Sequence, residues 1–375
     1  MKNQKPKIAV IGGGIFGTTC ALILGKQYPV TLFERHSDIL CEASRKNQYR
    51  HHAGFHYPRS PEMIREIKSA AKDFTSFYKN AIIYDFPSFY CVAKDGSKIS
   101  AKDFLRNCKK LKIWHKKEYP PDEFLNPDEV DVCVRTREAV YDYDKLKRFI
   151  SNKIKKNRNI NLKLNHRVFG ARFLKNGKKI IIIGSGKKKK QKEVFDYIIN
   201  ATYANYNQFC DWLGFTKKKL EYRLKEIIVV RLNIKKGYAI TVVDGPFATL
   251  IPTVLKNIFT FGDVPLSVRK TYTQKNPVRL SLMEKKLEKF ESLWPEMQAR
   301  CAKWIPIIRD AKYLESMFVI LPVDLSAKST DIRPTDVVNH GRGCFSILSG
   351  KIITCVSAAK NISKEIQSSW TPYKK

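Results

Sequence analysis

The stretch Lys7-Ile-Ala-Val-Ile-Gly-Gly-Gly-Ile-Phe-Gly17 decides the fold, because it places a glycine-rich turn directly after a short apolar segment. Its first five residues predict a strand buried inside a parallel sheet. Gly12, Gly14 and Gly17 have the G-x-G-x-x-G spacing, and the apolar segment 18–26 predicts a helix after the turn. This order predicts a dinucleotide-binding βαβ unit. A glycine-rich turn in another kind of α/β protein is the alternative.

Each part of this unit has a physical role in holding a dinucleotide. Gly12 permits the tight turn, Gly14 lets the backbone approach a pyrophosphate, and Gly17 lets the helix pack closely on the strand. The pyrophosphate would lie on unpaired N–H groups at the positive end of the helix. A second buried strand, 30–33, is followed by Glu34, whose carboxylate can accept hydrogen bonds from ribose hydroxyls.

The composition is strongly basic, with 70 Lys and Arg against 35 Asp and Glu and a formal net charge of +35. The lysines are spread along the chain without an aromatic-interleaved basic stripe, so a lysine-rich composition explains the charge better than a nucleic-acid partner does. Peripheral contact with a membrane surface or an acidic partner still follows from such a charge. The sequence leaves the oligomeric state open.

The cysteine pattern and the lack of long apolar segments bear on location. Nine cysteines are scattered without a C-x-x-C pair, which predicts reduced thiols and no metal site. The polar N-terminus does not resemble a secretion signal, and apolar stretches fall short of the roughly 20 residues that a membrane span needs. We therefore expect a cytoplasmic protein.

Segments typical of parallel strands lie near the start, the middle and the end of the chain, with antiparallel-type segments between them. Residues 194–200 predict one buried strand, 224–272 predict antiparallel strands, and 280–304 predict a long amphipathic helix. Asp144 is predicted to cap a helix ending near Lys156. The predicted class is α/β, with a Rossmann-like parallel-sheet nucleotide domain and an α+β substrate domain on an antiparallel sheet, both discontinuous. The nucleotide domain comprises residues 1–80, 140–215 and 330–375, and the substrate or cap domain comprises 81–139 and 216–329.

Further motifs accompany the N-terminal one: Asn200-Ala-Thr202, Ile332-Arg-Pro334, Ser349-Gly-Lys-Ile-Ile-Thr354 and the histidine-rich segment 47–60. Together they resemble the D-amino-acid oxidase superfamily of FAD-dependent oxidoreductases. The Gly-Lys-x-x-Thr element with its upstream Arg-Pro resembles the FAD-dependent glycerol-3-phosphate dehydrogenase branch. The chain is shorter than those enzymes and has His-His-Ala-Gly where they carry another motif, so their substrate does not carry over.

The resemblance implies a non-covalent FAD whose isoalloxazine lies at the domain interface. Ala43, Ser44 and segment 47–54 would surround the ribityl chain and flavin, and the Val168 backbone would meet the adenine. Other elements would contact the pyrophosphate and the pyrimidine ring. The implied cofactor residues are Gly12, Gly14, Ile15, Phe16, Gly17, Glu34, Arg35, Ala43, Ser44, Asn47, His52, Ala53, Gly54, Val168, Ala201, Thr202, Gly350, Lys351 and Ile352.

Two cations are candidates for catalysis. Lys351 precedes the last predicted helix and is placed to stabilise negative charge near N1 of the reduced flavin. Arg333 resembles the family's substrate-side arginine, which suits an anionic substrate because a guanidinium binds a carboxylate or phosphate bidentately. Either cation is alternatively a solvated surface charge. Arg50 and Arg59 are weaker candidates for the arginine's task.

His51, His52 and His56 form the histidine cluster of the sequence. One of them can take the substrate's hydroxyl or amine proton while the hydride leaves, and Tyr57 can orient the substrate. Hydrogen-bonded structural histidines are the alternative for each ring, and simple packing is the alternative for the tyrosine. His51 is also a candidate for a covalent flavin link.

The function predicted from the sequence is that of an FAD-dependent oxidoreductase. It would oxidise a CH–OH or CH–NH bond of a small anionic metabolite by hydride transfer to flavin N5, with an unknown electron acceptor. A flavoprotein acting on RNA and a non-catalytic dinucleotide-binding protein are the alternatives.

Overall fold

The part of the chain that the structure describes forms two large β-sheets and two small ones. The computed structural model describes residues 5–55, 58–185, 190–245, 247–274, 283, 287, 289–326 and 334–370. The strands are β1 (Ile8–Ile11), β2 (Val30–Phe33), β3 (Arg50–His51), β4 (Ile82–Ile83), β5 (Ser88–Ala93), β6 (His115–Lys117), β7 (Val130–Thr136), β8 (Ala139–Tyr141), β9 (Ile160–Lys163), β10 (Arg167–Phe173), β11 (Lys179–Gly184), β12 (Gln191–Phe195), β13 (Tyr197–Asn200), β14 (Leu220–Arg231), β15 (Ala239–Val243), β16 (Ala248–Pro252), β17 (Ile258–Asp263), β18 (Val268–Gln274), β19 (Lys312–Asp324), β20 (Asp336–Asn339) and β21 (Cys344–Leu348). The helices are α1 (Ile15–Leu24), α2 (Pro61–Tyr78), α3 (Ala101–Lys110), α4 (Tyr143–Lys156), α5 (Tyr206–Leu213), α6 (Trp294–Cys301) and α7 (Cys355–Ser369).

The first large sheet has six strands in the order β20-β21-β13-β1-β2-β9. Neighbouring strands are parallel except for β20 and β21. All four residues of β1 are buried, as expected for a strand covered on both faces. Helices α1 and α7 contact each other and share one apolar core with this sheet. The predicted Rossmann-like parallel sheet is confirmed.

The second large sheet has nine strands in the order β18-β14-β17-β16-β15-β5-β7-β6, with β19 also paired to β14. Its pairs are antiparallel except for β5 and β15, which run parallel. The predicted α/β class with a second, largely antiparallel sheet is confirmed. The domain bounds given above stay a prediction.

The prediction of one strand over 194–200 was wrong, because the chain turns at Asp196. β12 ends before it in a small antiparallel sheet with β10 and β11, and β13 begins after it in the parallel sheet. The corner is fixed by Lys7, whose backbone N–H donates to the Asp196 carboxylate at 2.8 Å. The Lys7 carbonyl accepts from the Asp196 N–H at 2.9 Å.

The prediction of a continuous helix over 280–304 was also wrong. Residues 290–293 are not helical, and α6 begins only at Trp294, with Pro295 in its first turn, where the missing N–H is tolerated. The non-helical segment is held by buried Glu226, which accepts from Ser292 Oγ at 2.6 Å and from the backbone N–H of Leu293 at 3.3 Å. Residues 280–282, 284–286 and 288 lie outside the described part of the chain.

The helix α4 is capped by Asp142 and not by Asp144 as predicted. The Asp142 carboxylate accepts from the backbone N–H of Lys145 at 3.0 Å, whereas Asp144 is exposed in the first turn. Asp142→Ala is expected to lower the free energy of unfolding by about 1 kcal/mol, because the cap is lost. Urea denaturation with Asp144→Ala as the matched control tests this. Equal losses in the two variants would contradict the assignment.

Candidate active site

A cavity of about 620 Å³ lies where four parallel strands of the six-stranded sheet end. The residues that follow β1, β2, β13 and β21 all line it, as expected for a ligand site at the carboxyl edge of a parallel sheet. Sixteen of the predicted cofactor residues line this cavity, and their role as cofactor contacts stays a prediction. They are Gly12, Gly14, Ile15, Phe16, Glu34, Arg35, Ala43, Ser44, Asn47, His52, Val168, Ala201, Thr202, Gly350, Lys351 and Ile352.

The glycines of the turn are required by close backbone contacts. Gly12 has φ +107°, and a Cβ there would lie 2.6 Å from the carbonyl oxygen of Ala201. A Cβ on Gly17 would lie 1.8 Å from the carbonyl oxygen of Gly12, so α1 can approach β1 only without a side chain. Gly17 therefore shapes the cavity without lining it. Gly14 is the N-cap residue of α1 and lines the cavity.

Glu34 is tied to the glycine turn. Its Oε2 accepts from the backbone N–H of Gly13 at 2.6 Å, and its Oε1 accepts from the N–H of His36 at 2.8 Å. A Cβ on Gly13 would lie 2.9 Å from the Cβ of Glu34, so a side chain there would displace Glu34 from the turn. Gly13 was not among the predicted site residues. The signal was present in the unbroken run of three glycines.

Thr202 offers an acceptor rather than a donor to the cavity. Both its backbone N–H, at 3.2 Å, and its hydroxyl, at 2.6 Å, donate to Oδ1 of Asn200. The Asn200 side chain is fully buried, and its amide donates to Ser346 Oγ at 3.2 Å. Asn200 in the Asn-Ala-Thr motif therefore fixes the Thr202 side chain, with the hydroxyl proton turned away from a ligand.

The Ser-Gly-Lys-x-x-Thr motif fixes the backbone of Lys351. The hydroxyl of Thr354 donates to the Lys351 carbonyl at 2.7 Å, and the Lys351 N–H donates to Ser349 Oγ at 3.1 Å. The lysine is only 7% exposed, which excludes the alternative of a solvated surface charge. Its Nζ lies 3.4 Å from Nε2 of His52.

A buried charged cluster surrounds His52. Its Nδ1 lies 3.4 Å from Oε1 of Glu138, which was not among the predicted site residues. Glu138 in turn accepts from Arg50 at 2.8 Å from Nε and 2.6 Å from Nη2. Lys351, His52, Glu138 and Arg50 thus form one continuous chain of charged and polar groups beside the cavity.

Tyr90 and Thr241, which lie on β5 and β15, hold the far end of this chain. The Tyr90 hydroxyl lies 2.5 Å from Arg50 Nη2 and within 3.0 Å of both Glu138 oxygens. Thr241 Oγ1 accepts from Arg50 at 2.9 Å. The nine-stranded sheet therefore supplies the support for groups that face the cavity.

Burial and the neighbouring charges set the protonation states in the cluster. Burial, assisted by the Lys351 ammonium, lowers the pKa of His52 to about 3, so its ring is neutral at neutral pH. Burial acts to raise the pKa of Glu138, but the Arg50 guanidinium and His52 hold it below its usual value. The site thus contains a neutral imidazole between a carboxylate and an ammonium.

Comparison with known proteins identifies the family. The sequence model described as "FAD dependent oxidoreductase" (DAO) matches residues 7–311. The chain belongs to this family. It is therefore an FAD-dependent oxidoreductase, which confirms the predicted enzyme class and cofactor. The more specific resemblance to the glycerol-3-phosphate dehydrogenase branch stays a prediction.

Similar proteins differ in their activities. A curated relative, the FAD-dependent monooxygenase FPY4 of Fusarium mangiferae, is 24% identical over 361 residues, covering 95% of this chain and 89% of the relative. Glycine oxidase from Geobacillus kaustophilus has a TM-score of 0.73 at 12% identity, with 98% of this chain and 97% of that chain covered. L-alpha-glycerophosphate oxidase from Mycoplasma pneumoniae, with FAD bound, has a TM-score of 0.69 at 14% identity, with 99% and 96% covered. The two structures show the same fold.

The residues of this cavity fit the FAD of the family. Gly12 and Gly14 leave a cradle without side chains at the start of α1, where N–H groups and the helix dipole suit a diphosphate. Glu34 follows β2, where a carboxylate can accept hydrogen bonds from ribose hydroxyls. Arg35 and Arg167 add positive charge to the same wall.

Other predicted residues lie away from the cavity. His51 is buried against Phe74 of α2, with its Nε2 3.1 Å from Thr75 Oγ1, so it has a structural environment. Gly54 faces Ile64 of α2. The Ala53 N–H donates to Glu138 at 3.1 Å.

Three further candidates, His56, Tyr57 and Arg333, lie outside the described residues. Arg59, a weaker candidate, forms an ion pair with Asp244. Among the residues that the structure describes, no group of three His, Cys, Asp or Glu side chains is arranged to hold a metal ion, and no helix is long and apolar enough to cross a membrane.

Acid is expected to destabilise the protein through His52. Its pKa is lower in the folded state than in the unfolded chain, so the unfolded state binds more protons between pH 3 and 6.5. The free energy of unfolding therefore falls as the pH falls through this window. His52→Asn should make the decline between pH 7 and pH 5 shallower in urea denaturation, whereas His115→Asn on β6 is the control. Parallel curves for wild type and His52→Asn would contradict the expectation.

Proposed function

We propose that this enzyme oxidises a CH–OH or CH–NH bond of a small anionic metabolite, with His52 and Lys351 acting on the substrate. The observation that carries the proposal is the buried pair of Lys351 and neutral His52 in the cavity wall, 3.4 Å apart. Bound FAD supplies the two-electron acceptor that takes a hydride from the substrate carbon.

The pair can move the proton that the substrate must lose. Lys351 Nζ can pass a proton to Nε2 of His52 and take the substrate's hydroxyl or amine proton in exchange. Because the pKa of His52 is about 3, the imidazolium is short-lived, and it releases its proton to solvent after the hydride has left. The imidazolium so formed is stabilised by ionised Glu138 on its other side. The remaining positive charge stabilises the negative charge that develops in the site during oxidation.

The charge of the cavity supports an anionic substrate. Among the residues that the structure describes, six Lys and Arg side chains and two carboxylates line the cavity, and the diphosphate of FAD offsets only part of this positive excess. The cations are Arg35, Lys46, Arg50, Arg167, Lys225 and Lys351, and the carboxylates are Glu34 and Glu42. Glycine and glycerophosphate, named for the structurally similar oxidases, carry a carboxylate and a phosphate.

The test is the absorbance of the purified protein and its anaerobic bleaching. Flavin absorbance near ~450 nm that passes into the supernatant after acid precipitation would support non-covalent FAD. Bleaching by amino acids, hydroxy acids or sugar phosphates would then define the substrate class. Bleaching by NADPH alone would favour a monooxygenase like the fungal relative, and bleaching by no compound would favour a non-catalytic protein. Bleaching only in the presence of RNA would favour the RNA-acting alternative.

The electron acceptor and the cytoplasmic location belong to the same proposal. Oxygen consumption and hydrogen peroxide formation during turnover would identify an oxidase. Turnover only with a quinone or an artificial dye would identify a dehydrogenase.

A further inference from the structure

We infer that Glu138 is a positioning residue that holds His52 as the tautomer with its proton on Nδ1. The inference rests on the proposed function only in giving His52 a role with substrate, and its geometry is independent of any ligand. The pairing of Glu138 with His52 is not visible in the sequence, because the two residues are 86 positions apart.

The Glu138 carboxylate has a fixed orientation. Oε1 accepts from Arg50, Oε2 accepts from the Ala53 N–H at 3.1 Å, and the Tyr90 hydroxyl lies within 3.0 Å of both oxygens. The residue is 4% exposed, so water does not compete for these contacts. Each donor comes from a different element, and together they prevent rotation of the carboxylate.

The partners of His52 select one tautomer. An ionised carboxylate only accepts hydrogen bonds and an ammonium only donates them. Nδ1 lies 3.4 Å from Glu138 Oε1, an electrostatic contact rather than an aligned hydrogen bond, and Nε2 lies 3.4 Å from Lys351 Nζ. Both charges favour a proton on Nδ1 and a lone pair on Nε2. The other tautomer would place the Nδ1 lone pair against the carboxylate and the Nε2 proton against the ammonium.

The consequence is a lone pair directed at Lys351 before any substrate arrives. Nε2 is the atom that the proposed proton exchange needs as an acceptor. Because Arg50 also binds Tyr90 and Thr241, the alignment depends on β5 and β15 of the nine-stranded sheet. Glu138 thus connects the second sheet to the protonation state of a group in the cavity wall.

The tautomer can be read directly by NMR of the full-length protein, as purified, labelled with ¹⁵N-histidine. The His52 signals are assigned by their loss in His52→Asn. The expected wild-type spectrum has a protonated Nδ1 and an unprotonated Nε2. Glu138→Gln removes the negative charge that favours a proton on Nδ1, so the Nε2–H form should become more populated than in the wild type.

Glu226→Gln is the matched control, because Glu226 is an equally buried carboxylate that binds Arg269 at 2.6 Å and does not line the cavity. It should weaken thermal stability in a similar way while leaving the His52 tautomer unchanged. With the substrate found in the bleaching screen, Glu138→Gln should lower kcat at least about tenfold with little change in KM, and Glu226→Gln should not.

A wild-type signal with the proton on Nε2, or a tautomer unchanged in Glu138→Gln, would overturn the inference. If Glu138→Gln does not fold, the wild-type spectrum still decides. Glu138→Asp keeps the negative charge but holds it farther from His52, so it should show more of the Nδ1–H form than Glu138→Gln does. The spectrum requires no substrate. A failed bleaching screen would therefore refute the proposed function without touching this result.

Discussion

Gly17→Ala is expected to abolish FAD binding and to cost the protein much of its stability. The added Cβ would lie 1.8 Å from the carbonyl oxygen of Gly12. Because that oxygen is a backbone atom, it cannot turn aside as the end of a flexible side chain could. The start of α1 would have to move away from β1, and the N–H groups that suit the diphosphate would move with it. Overpacking costs about 1–3 kcal/mol where neighbours can relax and more where they are backbone.

The measurement is the ratio of flavin to protein absorbance after purification, together with thermal unfolding. Gly170→Ala on β10 is the matched control, since a Cβ there would lie at an ordinary 3.6 Å from Ile182. The control should keep its flavin and its melting temperature to within a few degrees. A Gly17→Ala protein with full flavin content would show that the contact between α1 and β1 is not needed for binding.

The glycine turn could be predicted because its requirements are local. The turn, the approach of α1 and the position of Glu34 depend on residues within one βαβ unit, so their spacing carries the information. The same holds for Ser349 and Thr354, whose hydroxyls fix the backbone of a lysine between them in the sequence. Such motifs are predictable because the interacting atoms are close along the chain.

The histidine cluster shows why several histidines close together in the sequence do not by themselves identify the residue that faces a site. Three histidines within six positions predict a site but do not say which ring faces it. Successive side chains of a strand point to opposite faces, so Arg50 of β3 reaches Glu138 while His51 turns toward α2. His52, just beyond the strand, lines the cavity.

Glu138 could not be selected from the sequence. It lies between Arg137 and Ala139 with no motif around it, and its importance comes from partners on β3, β5 and the loop after β3. The interruption of the predicted 280–304 helix has the same origin, since buried Glu226 captures the Ser292 hydroxyl across the fold. Long-range contacts of buried carboxylates are invisible to hydrophobic periodicity.

Lys351→Met is expected to lower kcat by about 10²–10⁴-fold while FAD remains bound. The change removes the ammonium that faces His52 but keeps a side chain of similar length in the buried position. The motif hydroxyls bind only the Lys351 backbone, so the loop should keep its shape. Stopped-flow reduction of the bound flavin by the identified substrate measures the loss at the step where the lysine acts.

Stability separates the catalytic role from a structural one. Burying a charge costs free energy, so Lys351→Met should unfold at the same temperature as the wild type or higher. Lys46→Met is the control, because Lys46 also lines the cavity but lies 3.8 Å from Glu42 at a more exposed position, and its loss should change kcat little. Methylamine added to Lys351→Ala should restore part of the flavin reduction rate. Full turnover in Lys351→Met would leave His52 without its proton partner and would refute the exchange between Nζ and Nε2.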